Sequence, residues 1–185
     1  MTDQLHAIFR VVQHKDLISK IIVATTCREG GEVAHAELVM RGGTIIGAFA
    51  EGGVRERPLD YDGGPDQVEF EQFIAIPVDA ATLDALEHFM RSPKVMGERY
   101  DYTGLGDFVQ YFDWHQGHQV FCSALMVDGC RWVKILKHAL PIHAHGVNPV
   151  MWQQMLLCME TSIIITRDDP IFKAHISGAM EKTGA

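Results

Sequence analysis

The run EVAHAELVM, the tripeptide Arg41-Gly42-Gly43 and the run TIIGAFA leave the chain little local choice. Two apolar stretches of strand length joined by a glycine turn read as a β-hairpin, because glycine adopts the backbone angles that a tight reversal needs. The same strand signature recurs in LHAIFRVV and in the alternating VEFEQFIAIPV. Between them GGVRERPLDYDGGPDQ, rich in glycine and proline, reads as loop.

Helical spacing takes over elsewhere. Asp16 can cap a short helix with Leu17, Ile18, Ile21 and Ile22 on one face. Asp79 or Thr82 opens a second through Leu83, Leu86 and Phe89, ending near Ser92-Pro93. The stretch RYDYTGLGDFVQYFDWHQGHQ is aromatic and broken by glycine, and supports only a short helix around Leu105 to Phe112. From Cys122 to about His138, the positions Leu125, Met126, Cys130, Val133, Ile135, Leu136 and Leu140 suit one long helix. Pro149 fits the first turn of another, through Met155 and Leu156. TSIIIT reads as a late strand and the tail after Asp168 as peripheral. There is no repeat, low-complexity tract or linker, so residues 1–185 are expected to form one α+β domain.

Charge narrows the partners. The formal net charge is -8 and no run of Lys or Arg stands out, which makes nucleic acid or an anionic membrane a poor partner. No window approaches the ~18 apolar residues that span a bilayer. MTDQLHAIFRVVQHKD lacks the basic start, apolar stretch and cleavage site of a secretory signal. The four cysteines (27, 122, 130 and 158) are widely spaced and form neither a CxxC pair nor a disulfide framework. A reduced, cytoplasmic setting without a cofactor is the expectation, with later release by lysis left open.

Two segments carry chemistry. In FCSALMVDGCRWV a cysteine opens an amphipathic helix, where the helix dipole favours thiolate and free backbone N–H groups can receive an oxyanion. Most cysteines are structural, and Cys130 and Cys158, on apolar helix faces, fit that bland reading better than Cys122; Cys27 has no matching partner signal. In HAELVM, strand alternation sends His35 and Glu37 to one face, so a carboxylate can orient the imidazole. Alone, such a pair is more often a solvated strand face.

Taken together the segments resemble a known superfamily. HAELVMRGGTIIGAFAEGGVRERPLDY, then YDYTGLGDF, then FCSALMV, are similar to the circularly permuted, YiiX-like branch of the NlpC-type, papain-like cysteine peptidases and amidases. The H-x-E-L-V strand, the following G-A…G-G-V-x-x-R segment and the aromatic-Cys-Ser helix start carry most of the likeness. It spans roughly residues 5–165, with HGVNPVMWQQML resembling the Pro-led helix of relatives. The resemblance implies a papain-like fold with a small antiparallel sheet packed against the nucleophile helix. It implies a cysteine hydrolase with Cys122 as nucleophile and His35 as base. The family's usual third polar position falls near Ile46-Gly47, which offers no side-chain acceptor, so strand geometry puts Glu37 forward instead. The Cys122 N–H is the first oxyanion donor. Gln116, at papain's offset of six residues before the cysteine, or Tyr100 or Tyr102 can supply the second.

Other readings remain. His115-x-x-His118 and His143-x-His145 offer candidate ligands for a zinc site, but their spacing matches no regular motif and solvated loop histidines explain them better. A non-catalytic binding module, phage- or secretion-associated, is the alternative of another class. For a hydrolase the resemblance implies a peptide or muropeptide amide as substrate, with a lipid or other acyl ester or amide as the alternative. Specificity is expected in residues 51–68 and 97–120.

Overall fold

The computed structural model describes residues 4–26, 32–100, 119–136 and 144–178. Its centre is an antiparallel six-stranded sheet. In chain order the strands are β1 (Leu5–His14), β2 (His35–Met40), β3 (Thr44–Phe49), β4 (Gly53–Pro58), β5 (Val68–Val78) and β8 (Ile163–Ile165), placed in the sheet as β4-β3-β2-β1-β5-β8. The expected hairpin is β2–β3, with Met40 opposite Thr44 and Leu38 opposite Ile46. β1 lies mid-sheet, pairing β2 on one side and β5 on the other. A separate parallel pair, β6 (Arg99–Tyr100) and β7 (Gln119–Val120), fixes the chain just before Cys122.

Alternation along the strands feeds two cores. Phe9, Leu38, Met40, Ile46 and Ile74 join the main core with three helices, α2 (Ala80–Met90), α3 (Cys122–Trp132) and α4 (Pro149–Leu157). Trp152 of α4 is fully buried, edge-on to Phe9 with ring centroids 5.3 Å apart. The alternate residues Ile8, Val39, Ile45 and Phe73 form a smaller core with Phe172. Both α2 and α4 start where short polar side chains satisfy first-turn N–H groups: Asp79 accepts from Thr82, and Asn148 from Met151.

Four expectations need correction. The glycine-rich stretch after Phe49 is not all loop, because Gly53–Pro58 pairs with β3 along its length. β4 is an edge strand, where Arg55, Glu56 and Arg57 can stand without apolar alternation and Pro58 ends the pairing. The cysteine helix stops at Trp132 rather than near His138. Lys134 takes a left-handed conformation (φ 60°), and the Ile135 N–H turns back to the Cys130 carbonyl at 2.9 Å, a helix-ending motif that the apolar spacing hides. The tail is not peripheral either: α5 (Pro170–Ser177), capped by Asp169, sends Phe172 against Phe73 with centroids 4.7 Å apart. Finally, α1 (Leu17–Thr26) is capped by Asp16 as read, but Leu17, Ile18 and Ile21 are exposed and only Ile22 of the apolar set is buried. The short helix expected around 105–112 lies outside the described residues.

Close packing of the cysteine helix depends on a missing side chain. A Cβ at Gly129 would stand 3.1 Å from a Leu86 methyl and 3.3 Å from the Met90 sulfur. Gly129→Val should therefore lower stability by about 1–3 kcal/mol through overpacking. A urea midpoint equal to that of the parent chain would contradict this packing of α3 on α2.

Candidate active site

Cys122 is the first residue of α3, and extended backbone at Phe121 (φ -84°, ψ 161°) sets the helix start. Phe121 provides no side-chain cap. Its ring packs edge-on to Tyr100, with centroids 6.2 Å apart, and Ser123 Oγ donates to the Val147 carbonyl at 2.5 Å. These contacts tie the helix start to β6 and to the segment before α4. The sulfur is buried, the residue being 2% exposed.

His35 opens β2 and is covered by the Phe49 ring, whose centroid is 5.2 Å away. Its imidazole lies close enough to Cys122 for the two to interact. Burial alone would drive the proton off. Cys122, followed by Glu37, outweighs burial and raises the His35 pKa to about 10. The imidazole is accordingly held protonated beside Cys122.

Glu37 stands behind the imidazole. Its Oε1 is 3.3 Å from His35 Nε2, an ion-pair separation. The alignment is poor for a hydrogen bond, and Nε2 has no aligned acceptor. The contact is therefore Coulombic. Glu37 has no exposed surface and accepts from Arg10 Nη1 (2.9 Å, at Oε2) and from the Tyr61 hydroxyl (3.0 Å, at Oε1). Burial favours its neutral form, but His35 and Arg10 prevail and hold its pKa below the usual carboxylate range. Burial, reinforced by the Glu37 charge, pushes Tyr61 well above an ordinary phenol, so it remains a donor. Gly47 explains the vacant third position: a Cβ there would lie 3.2 Å from Glu37 Cγ and 3.4 Å from His35 Nε2. The space beside the imidazole is taken by Glu37.

Of the residues singled out from sequence, Cys122, His35 and Glu37 come together. Tyr100 lies in the main core beside Phe121. Gln116, Tyr102, Cys27, His115, His118 and His143 lie outside the described residues, as does the side chain of His145. Cys130 is fully buried and its thiol is pushed up by desolvation, as an inert core cysteine should be; Cys158 is exposed. Neither Arg55 nor Arg57 salt-bridges Glu37. Arg55 turns to the Gly52 carbonyl, and Arg57 lies over the Phe49 ring, 4.2 Å from its centroid. The partners that sequence reasoning missed are Arg10 and Tyr61. An arginine inside the strand run IFRVV was the available signal, since a charge on a mid-sheet strand needs a buried partner.

No protein-family model matches the sequence, and no curated protein matches it. Among solved structures, the fold is similar to the crystal structure of the metalloprotein yiiX from Escherichia coli O157:H7. The TM-score is 0.54 at 14% identity, and the match covers 91% of this chain and 99% of that one. At that identity the likeness is one of fold.

The electrostatics predict a pH signature. His35 is raised from 6.5 to about 10, so the stability it contributes is complete below about pH 6.5 and is lost as pH rises through 10. In an NMR titration of the histidine Cε1 signals, His35 should titrate far above the others, and Cys122→Ser should lower its midpoint. A wild-type midpoint near 6.5 would contradict the assigned contact.

Proposed function

We propose that the chain is a cysteine-nucleophile hydrolase of the permuted papain-like, NlpC-type kind, cleaving an amide bond in a peptide or muropeptide. The observation that carries this reading is the buried contact of His35 with Cys122 at a helix N-terminus, with the Glu37 carboxylate behind the imidazole. A thiolate there is a ready nucleophile, and the helix start aims backbone N–H groups at the place where an oxyanion would form. The distant fold likeness to yiiX agrees with the YiiX-like resemblance of the sequence blocks.

The proposed reaction has two halves. The Cys122 sulfur attacks the carbonyl carbon, and the oxyanion is held by the Cys122 N–H and a second donor, for which Tyr100, Tyr102 and Gln116 are the candidates. Collapse breaks the C–N bond, and the departing amine takes the proton from His35. Water then gives a proton to His35 and attacks the thioester carbonyl. Collapse of the second tetrahedral intermediate breaks the C–S bond and releases the acid, leaving the Cys122 sulfur as thiolate beside the His35 that took the proton from water. Glu37 stabilises the imidazolium throughout.

The word metalloprotein belongs to yiiX. Among the described residues there is no group of three His, Cys, Asp or Glu placed to hold a metal ion, and no helix is long and apolar enough to cross a membrane. A panel of peptide, muropeptide and acyl-ester substrates tests the thiol reading. Turnover should be abolished by iodoacetamide and by Cys122→Ala or His35→Ala, reduced less by Glu37→Gln, and unaffected by a chelator. Loss to the chelator with indifference to iodoacetamide would favour the metal reading. An acyl ester as the sole substrate would move the specificity to lipid or other acyl groups.

A further inference from the structure

We propose that Arg10 is a positioning residue of this site: it keeps Glu37 ionised and aimed, so that Glu37 keeps the proton on His35. The role rests on the hydrolase reading, while the coupling itself is measurable whatever the reaction.

Arg10 has no exposed surface, although it lies mid-sheet on β1. Its guanidinium is divided among three carboxylates: Nη1 to Glu37 Oε2 at 2.9 Å, Nη2 to Asp62 Oδ2 at 2.7 Å, and Nε to Glu71 Oε1 at 2.7 Å. Two of these anchors are themselves held. Asp62 accepts from the Gly64 N–H at 3.2 Å and lies 3.0 Å from His14 Nε2, while Arg167 grips Glu71 at 2.9 and 2.8 Å. The planar fork therefore cannot swing away from Glu37 without breaking contacts on its other edges.

Glu37 needs that cation. A carboxyl with no exposed surface tends to take up a proton, and a neutral Glu37 would no longer stabilise an imidazolium. Its other oxygen already faces His35 Nε2 at 3.3 Å and receives the Tyr61 hydroxyl. The groups around the imidazole are then Cys122, Glu37, Phe49 and, with ring centroids 6.1 Å apart, His14.

Two routes from Arg10 to His35 have opposite signs. Acting directly, a nearby cation repels the imidazolium, so weakening it would raise the His35 midpoint. Acting through Glu37, weakening it lowers the midpoint. NMR titration of His35 in the full chain separates them. Arg10→Lys keeps the charge but loses the fork, and should lower the midpoint by about 1 pH unit. Turnover number should fall about tenfold with KM little changed. In a Glu37→Gln background, Arg10→Lys should move the midpoint no further. Arg10→Met should lower it more, if that chain folds. A midpoint that stays or rises in Arg10→Lys overturns the role. So does failure of both Arg10 variants to fold where Glu37→Gln folds, since Arg10 would then be scaffold only. An inactive wild-type chain with an Arg10-dependent midpoint would refute the hydrolase reading alone. An active one with an unmoved midpoint would refute this role alone.

Discussion

The site depends on one register. β1 and β2 pair so that Arg10 stands opposite Glu37 and Val12 opposite His35. Because side chains alternate, a slip of one residue would turn Glu37 and His35 into the main core and Leu38 and Met40 out of it. It would also take Glu37 from the buried Arg10, one of its three carboxylates, at a greater cost than losing an exposed ion pair. The apolar pattern and the ion pair thus specify the same alignment. Residues 36, 38 and 40 fill the main core, while 35 and 37 carry charge on the other face.

Around that register, each element has a positioning task. α3 brings a cysteine to the open end of β2, and the Ser123–Val147 contact and the Tyr100–Phe121 rings fix where the helix begins. β3 contributes Gly47, whose lack of a side chain leaves room for Glu37, and Phe49, which covers the imidazole. The segment after β4 supplies Tyr61 to Glu37 and Asp62 to Arg10. The groups are close enough to set one another's protonation: Cys122 and Glu37 raise the imidazole, the imidazole and the guanidinium lower the carboxylate, and burial with the carboxylate raises the phenol.

Much of this was legible in the sequence, for definite reasons. Strand runs such as Val68–Val78 and the Arg41-Gly42-Gly43 turn are set by local chemistry, and period-two spacing alone put His35 and Glu37 on one face. Long-range pairing was not legible. Nothing local says that Arg10 meets Glu37, because that contact is made by strand order; nor that Tyr61, in a glycine-rich stretch, reaches back 24 residues to Glu37. β4 was missed because an edge strand needs no apolar alternation, and the end of α3 because Lys134 turns left-handed within an apolar run. The α5 tail had too few apolar residues to announce its burial, yet Phe172, with Ile171 and Ile176 packed beside it, ties it to the second core.

The central claim is that the Cys122 sulfur, prepared by His35, forms a covalent acyl intermediate. Brief incubation of the whole protein with p-nitrophenyl acetate, an activated acyl donor, followed by acid quench and mass spectrometry, tests it most directly. The account predicts one acetyl group, mapped to Cys122, that forms much more slowly in His35→Ala and is released by hydroxylamine. Acetylation confined to exposed Cys158 or to lysines, at the same rate in His35→Ala, would contradict it.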